Sequence, residues 1–179
     1  EGMNVIEIVR MIKLGIQTPI NVTFNNAKTP AYLAGKLARQ IDADSAEIAA
    51  VLTDQKVAEK YGYKNPLTMF SMFIPNTYEV YWTMTPKQFI TRMVKEHARF
   101  WNADRRARAK AQGLTPEEVI TLASIVDEET NKNDEMALVA GLYLNRLHRG
   151  MLLQADPTVK FAHGRFDLRR ILFEHLTID

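Results

Sequence analysis

Three consecutive acids, Asp127-Glu128-Glu129, close a stretch of helical spacing that begins at Thr115-Pro116, and they are the residues of this chain best suited to moving a proton. At about 100° per residue, Val119, Leu122, Ala123 and Val126 set one apolar direction. Glu128 projects nearly opposite it, so it is expected in water, while Asp127 and Glu129 fall on the two shoulders. A shoulder carboxylate at a helix C-terminus sits near the negative carbonyl ends and beside other acids, and both influences favour its protonated form. A carboxyl so raised suits a general acid near neutral pH. A solvated acidic helix end is the plainer account, and spacing alone favours it.

Other chemistries find less support. Neither a P-loop nor a GxGxxG pattern occurs among the eight glycines. His97, His148, His163 and His175 show no HExxH or comparable ligand spacing, so no metal site is expected. Ser124 lacks a nucleophile elbow and reads as a packed helix serine. The basic run Arg105, Arg106, Arg108 and Lys110 has the composition of a phosphate footprint, but a helix terminus explains it more simply. A formal net charge of +2 also argues against a nucleic-acid partner. The aromatics Tyr78, Tyr81, Trp82, Phe100 and Trp101 have the chemistry to line a sugar or base groove, although each is more often a core residue.

The framework that must position these groups is that of one ordinary domain, or one large and one small. The chain has 179 residues, 46% hydrophobic and 25% charged, with no cysteine. A chain of this size buries roughly 70% of its unfolded surface and needs no staples. Lack of cysteine removes disulfides, thiolate metal sites and thiol nucleophiles but leaves the compartment open. No stretch approaches the roughly 20 apolar residues of a membrane span; the longest, 67–74, is strand-sized. The chain opens at Glu1-Gly2 and reads as an excised fragment.

Along the chain, Asn4 with Glu7 caps a short helix stopped by Gly15, which is expected to dock on another surface. Ile20, Val22 and Phe24 alternate as a half-buried strand. Thr29-Pro30 opens a helix with Leu33, Leu37 and Ile41 as its stripe. Helical pieces follow at 48–52 and 55–60. Residues 70–82 read as two short strands, or one with a bend at Pro75-Asn76. Thr85-Pro86 starts a long amphipathic helix carrying Phe89, Ile90, Met93, Val94, His97, Phe100 and Trp101, expected to continue into 105–110 and end at Gly113. Thr115-Pro116 with Glu118 forms a full capping box for the helix of the acidic run. Met136, Val139, Ala140, Tyr143 and Leu147 face a further helix ended by Gly150. A turn-rich stretch through Asp156-Pro157 precedes a final helical piece at 168–175. The expected class is α+β, mostly helical, with a small sheet drawn from 20–24 and 74–82.

Several blocks together resemble one family. Leu122-Ala123-Ser124-Ile125-Val126-Asp127-Glu128-Glu129-Thr130, the Asn145-Arg146-Leu147 triplet, and Gly150-Met151-Leu152-Leu153-Gln154-Ala155-Asp156-Pro157-Thr158-Val159 are similar to the signature blocks of the YceG-like endolytic murein transglycosylases. Ile74-Pro75-Asn76-Thr77-Tyr78 resembles a further block. The blocks run in order from about residue 19 onward. The family usually has Glu where this chain has Asp127, which leaves Glu129, directly before Thr130, as the match to the catalytic acid. Family members also continue into a Gly/Pro-rich block that is missing here.

The resemblance implies a lytic transglycosylase of peptidoglycan glycan strands that needs no cofactor. Glu129 is then the catalytic residue. Asn145, Gln154 and Thr158 are candidates for sugar hydroxyl and acetamide contacts, Arg146 and Asp156 for partners that fix the turn, and Tyr78 for a further substrate contact. Plain turn chemistry accounts equally well for Asp156-Pro157-Thr158, as does a helix-end role for Asn145 and Arg146. By the same resemblance, 1–18 is the last piece of a LysM-like module and 19–179 a YceG-like catalytic domain truncated at its C-terminus. The enzyme is expected in the bacterial cell envelope, held to the inner membrane by an anchor outside this sequence, with peptidoglycan synthases as partners. A non-catalytic peptidoglycan-binding module is the alternative.

Overall fold

The computed structural model describes residues 2–176 and is an α+β fold that separates into two compact units, Glu1–Phe100 and Trp101–Asp179. The division between the units falls at residue 100.

In the first unit, α1 (Val5–Leu14) begins at an Asn4–Glu7 capping box and ends at Gly15, whose φ of 61° is the left-handed conformation that favours glycine at a helix stop. None of its residues is buried, and Val5, Ile6 and Ile12 are each at least three-quarters exposed. Strand β1 (Ile20–Phe24) pairs antiparallel with β2 (Asn76–Val80) to make a two-stranded sheet. The register sets Val22 opposite Tyr78 and Ile20 opposite Val80, so alternation puts Val22, Phe24, Tyr78 and Val80 on the buried face. On the other face Thr23 and Thr77 join hydroxyls at 2.7 Å. Between the strands run α2 (Pro30–Ala38), α3 (Ser45–Leu52), α4 (Gln55–Lys60) and α5 (Pro66–Phe70). After β2 comes α6 (Pro86–Phe100), which brings Phe89, Ile90 and Met93 into the core. Phe89 stacks on Phe73 at 6.3 Å and meets Phe24 edge-on at 6.2 Å. These aromatics bury large apolar surfaces and dominate such a core.

Two elements differ from expectation. The apolar run around residues 67–70 is helix α5, not strand, because Asn65 and Thr68 form a capping box and Pro66 sits at the first helical position, where a missing amide costs nothing. Only Asn76–Val80 of the expected strand region pairs. The long helix after Pro86 also stops at Phe100 instead of running through 105–110. Asn102 starts α7 (Ala103–Ala111) by accepting from the Arg105 amide at 2.9 Å, and a side chain that caps a new helix breaks the old one.

The second unit holds α7, α8 (Pro116–Glu129), α9 (Asn133–His148), α10 (Asp156–Ala162) and a 3-10 turn at Phe173–His175, the part of the expected 168–175 helix that forms. Its core gathers Leu122, Ile125 and Val126 from α8, Tyr143 from α9 and Ala155, with Leu114, Met136, Val139, Ala140, Leu144 and Leu153 around them. Among the described residues no helix is long and apolar enough to cross a membrane.

Candidate active site

The acidic end of α8 is aimed by its beginning. Thr115 accepts from the Glu118 amide and Glu118 returns a bond to the Thr115 amide at 2.7 Å, with Pro116 between them. This box fixes the register of a 14-residue helix. The buried side chains are Leu122, Ile125 and Val126; Ala123, expected on the stripe, is exposed. With Ile125 in place of Ala123 the apolar direction rotates, and Glu129, three residues after Val126 and four after Ile125, lies in line with it. Glu129 is thus on the packed side of α8 at its last turn, where the helix runs out and the residue is exposed. Glu128 is exposed, as expected.

From α9, the Tyr143 hydroxyl donates to Glu129 Oε1 at 2.9 Å. Tyr143 itself is only 5% exposed. Its hydroxyl is pushed up to about 12 by burial first and then by the bond to, and charge of, Glu129; the Arg146 charge opposes this and Asp156 adds to it. Arg146 and Asp156 therefore act on the same hydroxyl as Glu129. The connection from α8 to α9 is closed by a second acid. Glu135 accepts from the Thr130 hydroxyl at 2.9 Å on one oxygen and from Lys132 Nζ at 2.8 Å on the other. Those two bonds, Lys132 foremost, hold its carboxyl below the usual range.

The segment from Gly150 to Asp156 is organised by Arg146. Its Nε donates to the Leu152 carbonyl at 2.8 Å, and its terminal nitrogen donates to the Gln154 side-chain oxygen. Gln154 has φ 52°, in the left-handed region that side-chain-bearing residues seldom adopt, and such strain collects where a scaffold has reason to hold it. The next residue, Ala155, is 1% exposed and inserts into the core. Asp156 opens α10 and is exposed, and the Thr158 hydroxyl donates to the Ala155 carbonyl at 2.7 Å.

Five of the residues singled out from the sequence are therefore tied together in this unit: Glu129, Arg146 and Asp156 around the Tyr143 hydroxyl, Gln154 through Arg146, and Thr158 through the turn that Ala155 anchors. Asn145, beside Arg146 on α9, is exposed. Tyr78 belongs to the first unit and has a core position there. It is 6% exposed, its ring stacks on Phe24 at 5.3 Å and its hydroxyl donates to the Ile74 carbonyl at 2.5 Å, which leaves little surface for a ligand. Tyr143, which spacing puts on an apolar helix face, and Lys132 and Glu135 carry no motif that marks them as part of the site. Tyr143 was legible in principle, since a tyrosine on an apolar helix face needs a hydroxyl partner.

The remaining motifs have ordinary partners. The Ser124 hydroxyl donates to the Thr121 carbonyl at 2.7 Å, Arg106 reaches the Trp101 carbonyl at 2.8 Å, and Arg108 lies 3.7 Å from Asp104. Among the described residues no group of three His, Asp or Glu side chains could hold a metal ion.

The chain is similar to known proteins. A stretch of 70 residues is 37% identical to an endolytic murein transglycosylase of Streptococcus pneumoniae serotype 2, covering 39% of this chain and 13% of that protein. Another of 74 residues is 32% identical to an endolytic murein transglycosylase of Bacillus subtilis strain 168, covering 41% of this chain and 20% of that one. These matches span only a small part of the relatives' length. The crystal structure of a yceG-like protein from Listeria monocytogenes superposes with a TM-score of 0.72 at 25% identity, over 99% of this chain and 63% of that one. The model of the YceG-like family matches residues 1–179. With a family match over its whole length and a fold shared with a yceG-like structure, the chain belongs to the YceG-like family.

Proposed function

We propose that this chain carries the catalytic part of an endolytic murein transglycosylase, with Glu129 as its general acid and base. The observation that carries the reading is the contrast between two carboxyl groups. Glu129 is exposed with one oxygen held by Tyr143, whereas Glu135 has both oxygens occupied and is held ionised. A hydrolytic glycosidase pairs a general acid with a second carboxylate that acts as base or nucleophile, and Glu135, with both oxygens engaged by Thr130 and Lys132, has no oxygen free for that part. A lytic enzyme works with one.

Protonated Glu129 gives its proton to the oxygen linking N-acetylmuramic acid to the next sugar, and the bond from that oxygen to the anomeric carbon breaks. The C6 hydroxyl of the same muramic acid attacks the anomeric carbon, and Glu129 takes the hydroxyl proton. The product is a 1,6-anhydro end, formed without water, and the acid is regenerated. Because the nucleophile is tethered in the substrate, orientation does the work of a second protein carboxylate. Asn145, Gln154 and Thr158 contact sugar hydroxyls and the acetamide, with Arg146 and Asp156 holding the turn that presents them. In this reading the parent enzyme sits in the cell envelope, anchored in the inner membrane, and limits the length of strands as synthases make them. Residues 1–18 are then the end of a LysM-like module.

Glu129→Gln tests the assignment. It keeps the shape and an acceptor for Tyr143 but has no acidic proton, so release of anhydro ends from purified glycan strands should cease while the melting curve stays with the parent. Activity within a few-fold of the parent would remove Glu129 from the mechanism, and strand binding with no new ends from the parent protein would favour a binding module.

A further inference from the structure

Tyr143 reaches Glu129 from a neighbouring helix, on a ring that is 5% exposed and packed among Leu122, Ile125, Val126 and Ala155. So held, the hydroxyl has little freedom to choose another partner. It meets one carboxyl oxygen, Oε1, at 2.9 Å. Among the described residues, Glu129 Oε2 has no hydrogen-bond partner.

We infer that Tyr143 is a positioning residue for the reaction: by holding Oε1 of Glu129 it reserves Oε2 as the oxygen that delivers the proton to the glycosidic oxygen and later takes the proton from the C6 hydroxyl. The inference rests on the reading of Glu129 as the general acid. A protonated carboxyl has one carbonyl oxygen, which accepts, and one hydroxyl oxygen, which carries the proton. With a tyrosine hydrogen directed at Oε1, a proton on Oε1 would set two hydrogens against each other, so the proton resides on Oε2. As Oε2 gives it up, charge spreads onto Oε1 and the bond from Tyr143 becomes charge-assisted, which strengthens it. The bond is thus stronger after proton transfer than before, the condition for lowering the barrier and not merely binding the acid. Burial and the neighbouring carboxylate push the Tyr143 hydroxyl up to about 12, so it remains a donor across the pH range of an assay.

Arg146 on α9 and Asp156 on α10 act on the Tyr143 hydroxyl along with Glu129, and Asp127 and Glu128 precede Glu129 on α8. Helix α7, which also packs on α8, carries Arg105, Arg106, Arg108 and Lys110, of which Arg106 is turned onto the Trp101 carbonyl and Arg108 lies near Asp104. All of these remain when only the Tyr143 oxygen is removed, so any change in pH dependence belongs to that oxygen.

The test is Tyr143→Phe, assayed on purified glycan strands across pH beside Glu129→Gln and Leu144→Ala. Leu144 is partly buried in the same cluster and controls for packing. Expected for Tyr143→Phe are a kcat about 10-fold to 100-fold lower, a KM within about twofold of the parent, and an alkaline limb of the kcat profile moved up by about one pH unit, because the carboxylate has lost its donor. Leu144→Ala lowers the melting temperature and leaves the limb where it was. A Tyr143→Phe protein whose kcat and limb match the parent, or whose loss lies in KM, overturns the inference, as does a loss matched by Leu144→Ala with neither limb moving. If Glu129→Gln is inactive in the same series, such a result overturns the role of Tyr143 alone. An active Glu129→Gln instead overturns the acid assignment beneath it.

Discussion

At position 154 the sign of an ordinary rule should reverse. Glycine normally destabilises a folded chain relative to alanine, by roughly 0.5–1 kcal/mol, because it has more conformational freedom to lose. Gln154, however, has φ 52°, where a side-chain-bearing residue bears a cost of about 1–2 kcal/mol that glycine does not. Both Gln154→Gly and Gln154→Ala lose the bond from Arg146, which at an exposed position contributes about 1 kcal/mol. The alanine variant keeps the strain and loses the bond, so it should be about 1 kcal/mol less stable than the parent. In the glycine variant, relief of strain offsets both losses, which puts it within about 1 kcal/mol of the parent and above the alanine variant. Urea unfolding followed by circular dichroism reads that gap as ~0.3–1 M between the two midpoints at equal slope. In digests of glycan strands the two variants should fall together, about 5-fold to 10-fold, since each lacks the amide proposed to meet the sugar. An alanine variant more stable than the glycine variant would refute the strained backbone. A glycine variant with parental activity would remove the Gln154 side chain from substrate contact.

Two further outcomes follow from the same reasoning. Thr115→Ala leaves the Glu118 amide without its cap and should lower stability by about 1 kcal/mol in urea melts, with Thr115→Ser restoring most of it; no change would mean that the box does not set α8. Asp167 is held at about 2 by the paired bonds from Arg165, at 2.8 and 2.9 Å, below its ordinary 3.8. A depressed carboxyl contributes stability above its ordinary value and loses it as pH falls through the folded one, so the unfolding midpoints of the parent and Asp167→Asn should converge between pH 3.8 and about 2. Midpoints that stay parallel over that window would contradict the pairing.

Local chemistry made much of the fold legible. The Asn4–Glu7 and Thr115–Glu118 boxes, Thr29-Pro30 and the stop at Gly15 are short-range devices in which the residues that satisfy the backbone are neighbours in sequence. Where two local signals compete, the cap outweighs composition and spacing. The apolar run 67–74 is strand-sized, but Asn65-Pro66 starts a helix within it, and the helical stripe that spacing extends through Trp101 is cut by the Asn102 cap. The site was legible in part for a related reason. The acidic run and the Arg146, Gln154 and Asp156 positions stand out as blocks, whereas the facing of α8 depends on whether Ile125 or Ala123 packs, and tertiary contact decides that. One such substitution in the stripe moves Glu129 from a shoulder to the packed side, next to Tyr143. That pairing lies 14 residues apart on two helices, and no periodicity within either helix announces it.

In the proposed mechanism one carboxyl group and the substrate's own hydroxyl break the glycan without water. This is tested most directly by digesting purified glycan strands in heavy-oxygen water and weighing the new ends by mass spectrometry. The new ends should be one water lighter than hydrolysed ones, carry no heavy oxygen, and disappear in Glu129→Gln. Ends that carry a full water, with heavy oxygen at the anomeric carbon, would contradict it and require a second catalytic carboxylate.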